Sequence, residues 1–288
     1  SVSDFDEEEH KHHFSIDTTV THVENGGKFL HLLDAPGYPD FVGAALEALN
    51  AVETAVVVVS AVNGIEVNTR KMFCEAGKHE LARIIVVNKI DAEHVQFPEL
   101  IRQIQESFGK QCVLVNAPLG SGPNLRGLVS VLNPPDKSPA DCPIDLVSHR
   151  SMLIDAVVEC DDELMLKYLD EGSLSAQELE AGLPKAMACG TVVPIFCCAS
   201  KKEIGVDELL DALSRYTPAP SHAHVRLEHS LRHDKPIDTS ENADFFGQVF
   251  KTVNDKFVGN LAFIRVLAGK MDTEHPLMNL RTSKSARV

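Results

Sequence analysis

Positive charge is scarce in this chain of 288 residues: 27 lysines and arginines stand against 42 aspartates and glutamates, a formal net charge of −15. That balance argues against broad electrostatic binding to DNA or to an anionic membrane, while leaving open partners that offer protein surface. Paired-cysteine signals are also missing. The seven cysteines (74, 112, 142, 160, 189, 197 and 198) are odd in number and scattered, with no C-x-x-C among them. They read as reduced packing thiols of a cytoplasmic protein, not as a disulfide framework. No signal peptide and no internal repeat are visible. The apolar stretch 41–62 approaches membrane-spanning length but is broken by Glu47, Asn50 and Glu53, so a helix followed by a buried strand fits it better. A further absence concerns the pattern G-x-x-x-x-G-K-[ST], whose backbone N–H groups cradle phosphates. Gly-Lys occurs at 27–28, 77–78, 109–110 and 269–270, but His22, Met72, Ile104 and Ile264 stand five residues before those glycines.

What remains is ordinary globular material, 44% hydrophobic and 24% charged, long enough for one full domain and part of another. Residues 1–13 are polar and read as a mobile loop. Residues 17–23 and 28–33 read as two strands around the hairpin signal Asn25-Gly26-Gly27. A helix carrying Val42, Ala45, Leu46 and Leu49 precedes the continuous apolar run 55–59, which reads as a strand covered on both faces. Then come a helix over 66–79, a strand ending at Val87 and a helix over 98–108, with Pro98 in its first turn and Gly109 past its end. The alternation predicts a doubly wound α/β sheet. An inserted α/β subdomain is expected over about 111–190, with helices over 146–159 and 162–169. A third helix opens on a Ser175/Glu178 capping box and is shortened or kinked by Pro184. The sheet pattern resumes with a strand at 191–197 and a helix over 206–216. The first domain thus spans 1–217, a rigid linker 218–240 opens on Pro218-Ala219-Pro220, and 241–288 begins a β-barrel with strands at 246–253 and 261–267.

Two motifs close apolar runs that read as buried parallel strands of one sheet: Asp34-Ala35-Pro36-Gly37 after 28–33, and Asn88-Lys89-Ile90-Asp91 after 83–87. Carboxyl ends of such strands are where open α/β folds bind ligands. In an Asp-x-x-Gly motif the carboxylate of Asp34 suits a magnesium ion, held through a water, and the Gly37 N–H can bond a terminal phosphate. A Pro-Gly turn after a strand is the competing reading. Asn-Lys-x-Asp is more specific. Asp91 is acceptor-only and can take guanine's N1–H and exocyclic amine, neither of which adenine offers; such sites discriminate by roughly 10⁴-fold. The Lys89 stem can lie along the base and Asn88 can tie the loop to its neighbours, although Asn and Asp also cap helices. Cys198-Ala199-Ser200-Lys201 stands where a short loop would offer a backbone N–H to guanine O6.

With these residues placed, the chain resembles the translational GTPases, specifically elongation factor G and its paralogues. The stretch from Asp34 through Tyr38 to Phe41 is similar to their D-[TA]-P-G-[HY]-x-D-F. Pro194-Ile195-Phe196-Cys197 with Ile204-Gly205-Val206 resembles the surroundings of their final guanine loop. Phe250-Lys251-Thr252 and Phe257-Val258-Gly259-Asn260-Leu261 resemble the opening of their second domain. The resemblance implies a P-loop GTPase-type fold, GTP or GDP with Mg²⁺, the ribosome as partner, and the extra subdomain of elongation factor G at the insertion. It places the phosphate loop before Ser1 and the ribosome-reaching domains after Val288. Phe14-Ser15-Ile16 would replace the family's Ile-Thr-Ile, giving Ser15 the sensing of magnesium and γ-phosphate, unless it is simply a serine leading a strand. Tyr38 stands where the main branch has a histidine that positions or polarises water. An imidazole titrates at about 6.5 and a phenol at about 10, so tyrosine can only hydrogen-bond there. Ala199 stands where the family usually has serine, and Ser200 where an alanine N–H contacts the base. The expected activities are GTP hydrolysis on the ribosome with Tyr38 and Gly37 at the reacting end, or a GTP-dependent binding switch with vestigial hydrolysis. Residues 1–288 alone are expected not to bind nucleotide tightly.

Overall fold

A computed structural model describes residues 3–220, 238–255, 259–272 and 276–286. The chain divides into two compact units, Ser1–Pro218 and Ala219–Val288.

The acidic N-terminal run, expected to be a loop, forms helix α1 (Glu7–His12). Asp6 caps it and Glu9 completes a capping box; Glu7, Glu8 and Glu9 fill the first turn and His10, Lys11 and His12 the last, as the helix dipole favours. Strands β1 (Thr19–Asn25) and β2 (Lys28–Asp34) follow as an antiparallel hairpin with Asp34 opposite Thr19. This corrects the reading of residues 28–33 as a buried parallel strand: among the described residues β2 pairs with β1 alone, and Phe29 and Leu32 are exposed. A three-residue 3₁₀ turn (Pro39–Phe41) leads into α2 (Val42–Leu49).

The parallel sheet consists of β3 (Thr54–Ser60), β4 (Ala82–Asn88), β8 (Val193–Cys197) and β5 (Cys112–Leu114), in the order β3-β4-β8-β5. Helices α3 (Val67–Lys78) and α4 (Phe97–Phe108) connect the first strands, and Ile84, Ile85, Ile101, Ile104, Leu114 and Ile195 fill the core. β3 is an edge strand. Val57 and Val59 are buried but Val56 (39%) and Val58 (59%) are not, so the valine run is covered on one face rather than two. A run of identical residues carries no period that could have distinguished these cases.

The inserted region begins with a strand of the main sheet, β5, and continues with the hairpin β6 (Asn116–Leu119) and β7 (Gly127–Ser130). Helices α5 (Leu146–Val158), α6 (Asp162–Glu171) and α7 (Ala176–Cys189) complete it. α7 runs through Pro184 to Cys189 because Leu179, Leu183, Ala186 and Met187 bury its apolar face on both sides of the proline. Cys160 and Cys189 form a disulfide between the ends of α5 and α7, against the expectation of seven free thiols. Among the free cysteines, burial pushes the Cys112 thiol up to about 12 and raises Cys197 and Cys198, as suits inert packing groups. α8 (Val206–Tyr216) closes the first unit, and its Asp211 and Ser214 hold the hairpin through Asn25 (2.9 and 3.0 Å).

In the second unit β9 (Phe246–Asp255) and β10 (Gly259–Ala268) form a long antiparallel pair, and β11 (Leu277–Asn279) pairs with β12 (Lys284–Ala286). Most of the expected linker and the residues Phe257 and Val258 lie outside the described residues. No helix among the described residues is long and apolar enough to cross a membrane.

Candidate functional site

The parallel strands end on one rim, where two loops meet. Asn88, the last residue of β4, joins them with one amide group. Its Oδ1 accepts from the N–H of Lys89 (2.7 Å) and of Ser200 (3.1 Å), and its Nδ2 donates to Ser200 Oγ (3.0 Å). Backbone bonds from Ile90 N–H to the Cys198 carbonyl (3.4 Å) and from Cys198 N–H to the Val87 carbonyl (2.9 Å) reinforce the join. Lys89 is held at φ +62°, a left-handed conformation that costs a non-glycine residue about 1–2 kcal/mol and that its bond to Asn88 helps to sustain. The second loop is closed at its base by paired bonds between Ala199 and Ile204. It leaves through Gly205 at φ +79°, where a Cβ would stand 2.6 Å from both the Cys197 carbonyl and Leu128 Cδ1, so only glycine fits. Asp91 turns its partly buried carboxylate toward this loop and pairs with Lys202 (Nζ to Oδ2, 3.2 Å).

Asp34, Gly37 and Tyr38 sit on a separate loop after β2. Asn68 in the first turn of α3 donates to the Gly37 carbonyl (2.8 Å). Because α3 follows β3, this bond brings the Asp-x-x-Gly loop to the rim that carries Asn88, although β2 itself is not in that sheet. Asp34 is exposed, with no ion pair among the described residues. Among the described residues, apart from its chain neighbours, no atom lies within 4 Å of where a Cβ on Gly37 would be, and its φ is not left-handed. Nothing among the described residues therefore requires glycine at that position. Tyr38 is half exposed and its ring packs on Phe14 (centroids 4.6 Å apart).

Ser15 stands beside Phe14 and donates its hydroxyl to Asp4 (2.9 Å). Its surroundings are organised by Glu9, a residue the sequence reading passed over although Asp6-x-x-Glu9 is a capping-box signature. The Glu9 side chain is 4% exposed and accepts four backbone N–H groups, from Phe5 (2.9 Å), Asp6 (3.0 Å), Ile16 (2.7 Å) and Asp17 (3.3 Å). Burial alone would raise this carboxyl, but the four donors outweigh it and hold the pKa at about 2. With the folded value depressed below the ordinary 4.5, its stabilisation is complete above about pH 4.5 and is lost as pH falls toward 2. The protection factors of the Ile16 and Asp17 amides, taken against intrinsic exchange at each pH, are therefore expected to fall on acidification through that window. Glu9→Ala should show the same loss at neutral pH, with roughly 1–3 kcal/mol less local protection. Protection unchanged at pH 3 and in the variant would remove Glu9 from that role.

Asn88, Lys89, Asp91, Ala199 and Ser200 thus form one cluster, while Asp34, Gly37 and Tyr38 form a second, linked to the rim by Asn68. Ser15 lies on the Glu9-centred loop, joined to the second cluster through Phe14. The Ser200 N–H, expected to face a base oxygen, is already engaged by Asn88. Lys202 and Asn68 carried no sequence signal, since each acts through a side chain reaching across from another loop.

Residues 1–219 match the family model of the elongation factor Tu GTP binding domain. The chain belongs to that family. An elongation factor G-like protein of Thermotoga maritima is 30% identical over 295 residues, which cover 99% of this chain and 43% of the relative. A protein of Thermus thermophilus known from a crystal structure matches with a TM-score of 0.80 at 25% identity, over 100% of this chain and 42% of that one. The chain therefore spans less than half the length of these relatives. Membership makes the first unit a GTP-binding domain of the translation-factor kind. The exposed carboxylate of Asp34 has the oxygen chemistry that a magnesium-bound water takes, and the pattern G-x-x-x-x-G-K-[ST] does not occur in residues 1–288.

Proposed function

We propose that the full-length protein binds GTP and GDP with Mg²⁺, hydrolyses GTP and acts on the ribosome in the cytoplasm, as an elongation factor G-like GTPase. The observation that carries this reading is the Asn88 amide, which fastens the Asn-Lys-x-Asp loop to the Ala199-Ser200 loop through three bonds. That junction presents Asp91 to the base edge, with the Lys89 stem alongside. Asp34 holds the magnesium through water, Ser15 senses it, and Gly37 is glycine because a phosphate oxygen, not a protein atom, approaches its backbone. The phosphate cradle comes from chain outside residues 1–288. The edge of β3, unpaired among the described residues and with Val56 and Val58 exposed, supports a further strand and covering helix there. Titrating fluorescent GDP and ADP against the full-length protein tests the reading: guanine binds far more tightly, and equal affinities overturn it.

One observation favours a second reading, a GTP-dependent ribosome-binding switch with weak hydrolysis. Tyr38 offers a phenol ring in place of an imidazole, and that ring lies against Phe14. Single-turnover hydrolysis with and without ribosomes separates the two.

A further inference from the structure

We propose that Lys202 is a selectivity-determining residue of the base site, competing with the purine edge for Asp91. This rests on the guanine-site reading above. Among the described residues, Lys202 and Asp91 are each other's only ion-pair partners, at 3.2 Å. The lysine is held in place from behind: its N–H donates to the Ala199 carbonyl (2.9 Å), inside the loop that Ala199 and Ile204 close. The side chains are 45% and 21% exposed, so the pair sits at the mouth of the rim, not in a core.

A carboxylate has two oxygens, and guanine offers two adjacent donors, N1–H and the exocyclic amine. Full recognition therefore uses both oxygens, and Lys202 must yield or share Oδ2. Hypoxanthine lacks the amine and needs only one oxygen, so Lys202 keeps the other. The ammonium thus weakens guanine binding slightly and softens the penalty for a base without the amine. An aspartate without such a competitor would demand the amine more strictly.

An ion pair this exposed is worth little, so the effect is modest. Lys202→Met in the full-length protein is expected to bind GDP about two- to fivefold more tightly, which is roughly 0.4–1 kcal/mol at 1.4 kcal/mol per tenfold. The ratio of inosine diphosphate to GDP dissociation constants should widen by at least the same factor. Lys202→Arg should keep the wild-type ratio. Raising the salt concentration should narrow the gap between wild type and Lys202→Met, because the competing pair is screened. Calorimetric titration of the three proteins with both nucleotides reads all of this. GDP affinity unchanged or weakened in Lys202→Met, or an unchanged nucleotide ratio, overturns the proposal. Asp91→Asn separates that failure from failure of the site. If Asp91→Asn loses GDP while Lys202→Met behaves as wild type, only the role of Lys202 falls; if Asp91→Asn keeps GDP, the base site itself is misplaced.

Discussion

Asparagine at position 91 is expected to exchange guanine for xanthine in the full-length protein. In the proposed base site the wild-type carboxylate accepts from both N1–H and the exocyclic amine, and hydrogen bonds to a charged group are worth about 1.5–3 kcal/mol each. An amide turns one acceptor into a donor. Its NH₂ then faces guanine's amine, donor against donor, and a site left with an unpaired polar group rejects its old ligand strongly. GTP affinity should fall by about 10²- to 10⁴-fold. Xanthine carries an oxygen where guanine carries its amine, so xanthosine triphosphate should become the tighter ligand. The substitution is isosteric, and among the described residues the only ion pair given up is the solvent-accessible one with Lys202, so folding is little affected. Competition titration with the two triphosphates measures both changes. GTP affinity unchanged in the variant would remove Asp91 from the base site.

The parts of this architecture that the sequence exposes are those encoded locally. Phe97–Phe108 and Val206–Tyr216 form helices where apolar spacing, Pro98 and Gly109 place them, and β4 follows its apolar run, ending on Asn88 one residue past the expected Val87. The Ser175/Glu178 box opens α7 as read, because capping depends on residues three apart. What sequence does not carry is the partner across space. Residues 28–33 look apolar enough for a central strand, yet among the described residues β2 pairs only with β1, and an Asn68 side chain links its motif to the helix that follows β3. Cys160 and Cys189 meet because α5 and α7 pack together, which their separation in the chain does not reveal. The two motifs are legible since their chemistry fixes residue type and order. The groups that hold them, Glu9, Asn68 and Lys202, are not, because many residue types at many positions could supply the same bond.

Histidine at position 38 is expected to raise ribosome-stimulated GTP hydrolysis by about 10²- to 10⁴-fold, the usual contribution of a positioned acid–base group. In the proposed elongation factor G-like site this position faces the attacking water, and an imidazole there could at neutral pH either accept a proton or hold one. The backbone that presents position 38 is set independently of the ring: the 3₁₀ turn after it is closed by the Phe41 N–H on the Tyr38 carbonyl (3.1 Å), with Pro39 fixing the first step. A histidine side chain would leave the same point, with the Phe14 contact reduced but the loop unchanged. GTP affinity should therefore stay level while kcat rises, and the rate should acquire an ionisation near about pH 6.5 that the wild type lacks. Tyr38→Phe is the control: hydrolysis close to wild type means the phenol contributes only its ring. Single-turnover rates with ribosomes, compared across pH for the three proteins, decide it. A wild-type rate already equal to that of Tyr38→His would show that this domain positions its water without an imidazole.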